Sequence, residues 1–111
     1  MASRFVLSGS TAAQFRFVLK AGNNESILTS ERYASKAGAL NGIQSVRTNS
    51  PNDARYERKN SVNGSPMFNL KAANGEVIGT SETYSSVAAR ETGIASVKAN
   101  GPIAPIDDQT T

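Results

Sequence analysis

The chain of 111 residues has no cysteine, no histidine and no tryptophan, and only four prolines. Without cysteine there is no disulfide framework, no thiol nucleophile and no thiolate metal site, and the cytoplasm is the simplest compartment. Without histidine the common zinc sites and every imidazole-based catalytic arrangement are excluded, leaving only oxygen ligands for a metal. Long apolar runs are also missing. No segment is apolar for long enough to span a bilayer, and Phe5 to Leu7 gives way to polar residues too soon for a signal peptide. The expectation is a soluble cytoplasmic protein with no membrane contact. Acid is in modest deficit: 12 Lys and Arg face 9 Asp and Glu, for a net charge of +3. Such an excess permits an anionic partner without requiring one.

What the chain does contain, it contains twice. "LKAGNNESILTSERYASKAGALNGIQSVRTN" from Leu19 is answered in register by "LKAANGEVIGTSETYSSVAARETGIASVKAN" from Leu70, at an offset of 51. Phe17 pairs with Phe68, Asn23 with Asn74, Glu25 with Glu76, Glu31 with Glu82, Tyr33 with Tyr84 and Gly42 with Gly93. Upstream, Arg4 and Phe5 pair with Arg55 and Tyr56. About half the aligned positions are identical, which marks duplication rather than shared composition. Two units of this size bury too little surface separately and are too few for a solenoid, so they must share a core. The units are assigned to residues 1–52 and 53–101, with residues 102–111, rich in proline and acid, read as a mobile tail.

Within a unit, Phe15, Phe17, Leu19 and Ala21 alternate with Arg16, Val18 and Lys20, the pattern of a half-buried strand. Asn74-Gly75 predicts a two-residue hairpin into the next strand, and Asn23-Asn24 its less comfortable counterpart. Asn63-Gly64 joins an earlier strand in the second copy; Ala12-Ala13 in the first predicts a wider loop near residues 9–14. Ser35 and Ser86 then read as N-caps of helices that run to about Arg47 and Lys98 and leave through Asn49 and Asn100 in left-handed conformation. The stripe Ala39, Gly42, Ile43 and Val46, repeated as Arg90, Gly93, Ile94 and Val97, should lie on the sheet. The fold class is therefore α+β: an internal duplication of a βββα unit forming one compact pseudo-dimeric domain with an antiparallel sheet. Burial of one unit by the other would supply the cover that a three-stranded sheet with one helix lacks.

The combination Leu-Lys-Ala-Ala-Asn-Gly-Glu, Thr-Ser-Glu, Tyr and Gly-Ile-x-Ser-Val-Lys-x-Asn resembles the YegP-like family of small bacterial proteins, whose tandem units make up the whole chain. The resemblance covers residues 4–101, and the first copy departs from it at Ala12-Ala13 and Asn24. It implies a duplicated α+β fold and a bacterial source, and it carries no activity or site residues with it.

Chemistry is sparse. The repeated polar residues suit structure better than catalysis: Asn23 and Asn74 for turns, Ser35 and Ser86 for caps, Glu31 and Glu82 for backbone donors near the helix starts. No ordered catalytic motif or phosphate-binding loop is present, so the protein is expected to be a non-enzymatic binding or structural protein without metal or cofactor. One alternative is nucleic-acid binding through the outer strand faces, which collect Arg4, Arg16, Lys20, Arg55, Lys59 and Lys71, with Glu57 as the exception. Sheets of this kind can lie in a major groove, although no outward aromatic residues are offered for stacking. The other is a protein-binding module, a monomer or weak homodimer, in which the copies diverge at Arg90 and Glu91, replacing Ala39 and Leu40.

Overall fold

The computed structural model describes residues 3–9 and 14–110. Strands β1 (Arg4–Ser8), β2 (Arg16–Lys20) and β3 (Ser26–Ser30) precede helix α1 (Lys36–Asn49). A 3-10 turn (Asp53–Arg55) leads into β4 (Tyr56–Asn60), β5 (Pro66–Lys71), β6 (Val77–Thr80), helix α2 (Val87–Asn100) and β7 (Ile106–Asp108). All seven strands join one sheet in the order β4-β5-β6-β3-β2-β1-β7.

The alternation read from the sequence sets the faces. Phe5, Leu7, Phe17, Leu19, Phe68 and Leu70 are fully buried, while the residues between them are partly or fully exposed, apart from Asn69. Each half builds the same aromatic ladder. Phe5 meets Phe17 edge-on at 5.9 Å and Phe17 stacks on Tyr33 at 6.2 Å; Tyr56, Phe68 and Tyr84 repeat this at 5.7 and 6.3 Å. Arg47 lies over the Phe5 ring and Lys98 over Tyr56, both at 5.7 Å, so the last turn of each helix closes its ladder with a cation.

The halves do not cover one another face to face. They meet edge to edge where β3 pairs antiparallel with β6, Thr29 opposite Thr80 and Ser30 opposite Gly79. Gly79 is required there, because a Cβ on it would run into the buried Leu28 side chain of the other half. The helices span this short seam: α1 packs on β2, β5 and β6, and α2 on β5 and β3. Their ends also meet, with Gly101 held against Ser50, one offset away. Sharing a core is thus achieved by straddling helices, and the opposite face of the sheet carries no second layer among the described residues.

Several expectations need correction. The sheet is mixed rather than antiparallel, because β7 runs parallel to β1 in the register Phe5 to Ile106. The segment read as a mobile tail therefore contains a strand. Phe5 N–H donates to the Pro105 carbonyl at 2.8 Å, Gln109 N–H to the Leu7 carbonyl at 2.7 Å, and Lys36 pairs with Asp108 at 2.6 Å. Pro102 lies in the turn that follows α2, and the strand is only three residues long, which leaves no alternation to read. The β2–β3 and β5–β6 connections, residues 21–25 and 72–76, have a single left-handed position each, Asn24 at φ 71° and Gly75 at φ 86°, next to a bulge at Lys20 and at Lys71. The helices end in right-handed conformation at Ser50 and Gly101; Asn49 and Asn100 stay inside them and donate to the Ser45 and Ser96 carbonyls. The wider loop expected near residues 9–14 lies largely outside the described residues.

Candidate functional site

Register assigns the outer face. Arg4, Val6 and Ser8 of β1 stand beside Lys20, Val18 and Arg16 of β2; Glu57 and Lys59 of β4 stand beside Asn69 and Met67 of β5, with Lys71 in the same row. Thr29 and Thr80 fill the middle and Asp107 joins at the β7 edge. Five of the six basic residues singled out from the sequence are thereby brought onto one continuous face. Arg55 is not. It belongs to the 3-10 turn before β4, where its guanidinium donates to Asn49 Oδ1 at 3.0 Å near the end of α1.

On this face five cations (Arg4, Arg16, Lys20, Lys59, Lys71) stand against two acids (Glu57, Asp107). The difference is +3, the net charge of the whole chain, so the seven remaining cations and seven remaining acids cancel. Two of the five cations are partly neutralised: Lys71 pairs with Glu57 at 3.3 Å, and Arg4 lies 3.6 Å from Asp107. Asn69 and Lys71 both bond Glu57 and hold its carboxyl below the ordinary range, so that acid stays charged. Arg16, Lys20 and Lys59 make no ion pair within 4 Å among the described residues, although the charge of Lys59 also acts on Glu57.

At one corner Arg16 is joined by Arg32, which the sequence reading did not single out. Ser8, Gln14, Arg16 and Arg32 line a nook of about 140 Å3, with Arg32 oriented by a 2.9 Å bond from its guanidinium to Gln14 Oε1. The signal was in the repeat: Arg16 and Arg32 face Met67 and Thr83 one offset away, so this double cation belongs to one copy alone.

Arg90 and Glu91, the residues marked for a protein partner, are engaged within the molecule. Arg90 is only 12% exposed and its Nε lies 3.1 Å from Glu91, which also binds Arg58 at 3.0 Å; Asp53 then bridges Arg58 at 2.9 Å and Lys98 at 2.6 Å. This chain of charges sits beside β4, one of the two edge strands of the sheet, and blunts it.

On the helix side a larger cleft, about 540 Å3, opens between the β2–β3 turn and α2. Glu25, Ile27, Glu82, Tyr84, Thr92 and Gly93 are among its walls, so both halves contribute. A Cβ on Gly93 would overlap the Tyr84 hydroxyl, so any larger residue there requires the ring to turn. Burial raises the Tyr84 phenol above its ordinary pKa, and the charges of Glu82 and Glu25 push it further. The bonds expected from Glu31 and Glu82 carboxylates to backbone donors are not made among the described residues; it is their backbone carbonyls that accept, from Ser30 and Ser81 hydroxyls at 2.6 and 2.7 Å. No group of three or more metal-ligating side chains occurs among the described residues, and no helix is long and apolar enough to cross a membrane.

A seven-stranded sheet with two helices on one face, carrying its sequence twice, defines a class of duplicated α+β proteins. The family model described as a domain of unknown function, DUF1508, matches residues 10–57 and again 61–108, and the chain belongs to this family. It is 60% identical over 110 residues to the UPF0339 protein YegP of Escherichia coli O157:H7, covering 99% of this chain and 100% of that one. The solution NMR structure of the Escherichia coli yegP protein, described as of unknown function, matches with a TM-score of 0.91 at 59% identity, over 99% of this chain and 95% of that chain. The solution NMR structure of the UPF0339 protein SO3888 from Shewanella oneidensis gives 0.90 at 57% identity, over 99% and 93%.

Proposed function

We propose that the protein is a non-catalytic nucleic-acid-binding module whose working surface is the open outer face of the sheet. The observation that carries this is the segregation of charge: five cations face two acids across the outer strand faces, and Arg32 adds a sixth cation at their corner. Short central side chains, Thr29 and Thr80, let a backbone approach between basic flanks. The paired guanidiniums of Arg16 and Arg32 have the charge and fork geometry that phosphate contacts use. With no aromatic residue on the outer face, binding would rest on phosphates rather than stacked bases.

The underlying unit in this proposal is a duplicated βββα module forming a pseudo-dimer. The two family matches at an offset of 51, the repeated aromatic ladders and the meeting of Ser50 with Gly101 support it. The protein would act in the cytoplasm as a monomer or a weak homodimer, its β4 edge blunted by the Asp53–Arg58–Glu91 charges.

The test is an NMR titration with short duplex and single-stranded DNA and RNA at several salt concentrations. Three to four phosphate contacts, from Arg16, Arg32, Lys20 and Lys59, should give a slope of log Kobs against log salt of about −3, and Arg16→Ala should lower its magnitude by about 1. Absence of shifts on the outer face at low salt would refute the proposal.

A further inference from the structure

Of the polar side chains that recur in both copies, the structure gives most an internal task. Asn23 and Asn74 accept from the N–H groups of Glu25 and Glu76 in the turns. Ser30 and Ser81 accept from Phe17 and Phe68, and Ser35 and Ser86 cap the helices. Three types are left without one: the Glu25 and Glu76 carboxylates, the Glu31 and Glu82 carboxylates, and the Tyr33 and Tyr84 hydroxyls make no hydrogen bond or ion pair among the described residues. Identity across two diverging copies, without an intramolecular partner, is what ligand contact leaves behind. Glu25 of the first half and Glu82 and Tyr84 of the second all line the same cleft.

We propose that this cleft binds a small organic cation, an alkylamine, between the two carboxylates and against the Tyr84 ring. Its volume of about 540 Å3 suits a small molecule. Glu25 and Glu82 place two negative charges at its rim with no cation paired to either among the described residues. The Tyr84 ring offers a face for cation–π contact, and Ala21, Ile27 and Ala89 provide apolar wall for a hydrocarbon chain. Two carboxylates without a third acidic ligand fall short of the oxygen cage that calcium takes, which favours an ammonium group with a carbon chain over a bare ion. The proposal is independent of nucleic-acid binding on the opposite face.

The experiment is an NMR titration of the full chain with 1,4-diaminobutane. Controls are 1,4-butanediol, sodium chloride at matched ionic strength, and magnesium chloride. Saturable shifts are expected at Ala21, Ile27, Gly93 and Ser96 with the diamine alone. Glu25→Gln and Glu82→Gln should each weaken binding about tenfold, the loss of one charge-assisted hydrogen bond. Both side chains are exposed and unbonded, so the variants should keep the wild-type spectrum otherwise. Shifts that fail to saturate, that sodium or magnesium reproduces, or that survive both Gln variants would overturn the proposal.

Discussion

Gly42 and Gly93 occupy equivalent helix positions, yet replacing them with alanine should give different results. In an unconstrained helix interior Gly→Ala stabilises by about 1 kcal/mol. A Cβ on Gly42 would overlap the Tyr33 hydroxyl and would also come 2.9 Å from Cε2 of the fully buried Phe17. Phe17 is wedged between Phe5 and Tyr33 and cannot withdraw, so overpacking should cost about 1–3 kcal/mol. Gly42→Ala should therefore destabilise by up to about 2 kcal/mol, or lower the melting temperature by up to about 10 °C. At Gly93 the obstacle is the Tyr84 ring alone, which lines the cleft and can turn into it. Gly93→Ala should be neutral or stabilising by up to about 1 kcal/mol while moving the Tyr84 ring resonances. Urea denaturation of both variants, followed by circular dichroism, gives the comparison. A Gly42→Ala protein as stable as Gly93→Ala would show that the Phe17 contact does not govern the position.

Truncation after Gly101 should open the β1 edge that β7 covers; sedimentation equilibrium should then show self-association rising with concentration, and a strictly monomeric truncate would count against the role given to β7. Asp53 is held down to about 2 by its bonds to Arg58 and Lys98, against an ordinary 3.8. Its contribution is thus full above about pH 4 and is lost as pH falls through about 2; Asp53→Asn should flatten the acid limb of a stability curve, and superimposable curves would refute the assignment. Ser50 is fully buried and its hydroxyl has no partner, while its carbonyl accepts from Tyr56 at 2.8 Å. Ser50→Ala should leave stability unchanged or raise it by up to about 1 kcal/mol in urea melts, and a loss beyond that would reveal a bond to the hydroxyl.

Strand faces, N-caps and the helix stripe were legible because each depends on local periodicity or on one side chain bonding two or three residues away. Phe17 and Leu19 inward, Arg16 and Lys20 outward, and Ser35 onto Gly38 need no tertiary information. The seam was not legible. An offset of 51 reveals two copies, but edge pairing through Thr29 and Thr80 rests on backbone groups that every residue carries. The outer face followed from alternation except at Arg55, which a 3-10 turn lifts out of phase, and Arg32, whose place beside Arg16 depends on a loop fixed by the Phe15–Tyr33 bridge. The cleft escaped notice because its two carboxylates belong to different copies, and comparing each residue with its repeat partner directs attention to likeness rather than to contact.

The pairing of β1 with β7 also has a bearing on synthesis. Phe5 leaves the ribosome ahead of its neighbour Ile106 by nearly the length of both copies. At about 5–20 residues per second the first half waits roughly 3–12 s for the second to be made, with both β1 and β3 as open edges. A nascent chain in that interval presents two strands paired on one side only, and Arg4 on one of them still lacks Asp107. The vulnerable period of this protein is therefore its translation, and slowing the ribosome over the second copy should reduce yield more than the same delay placed in the first.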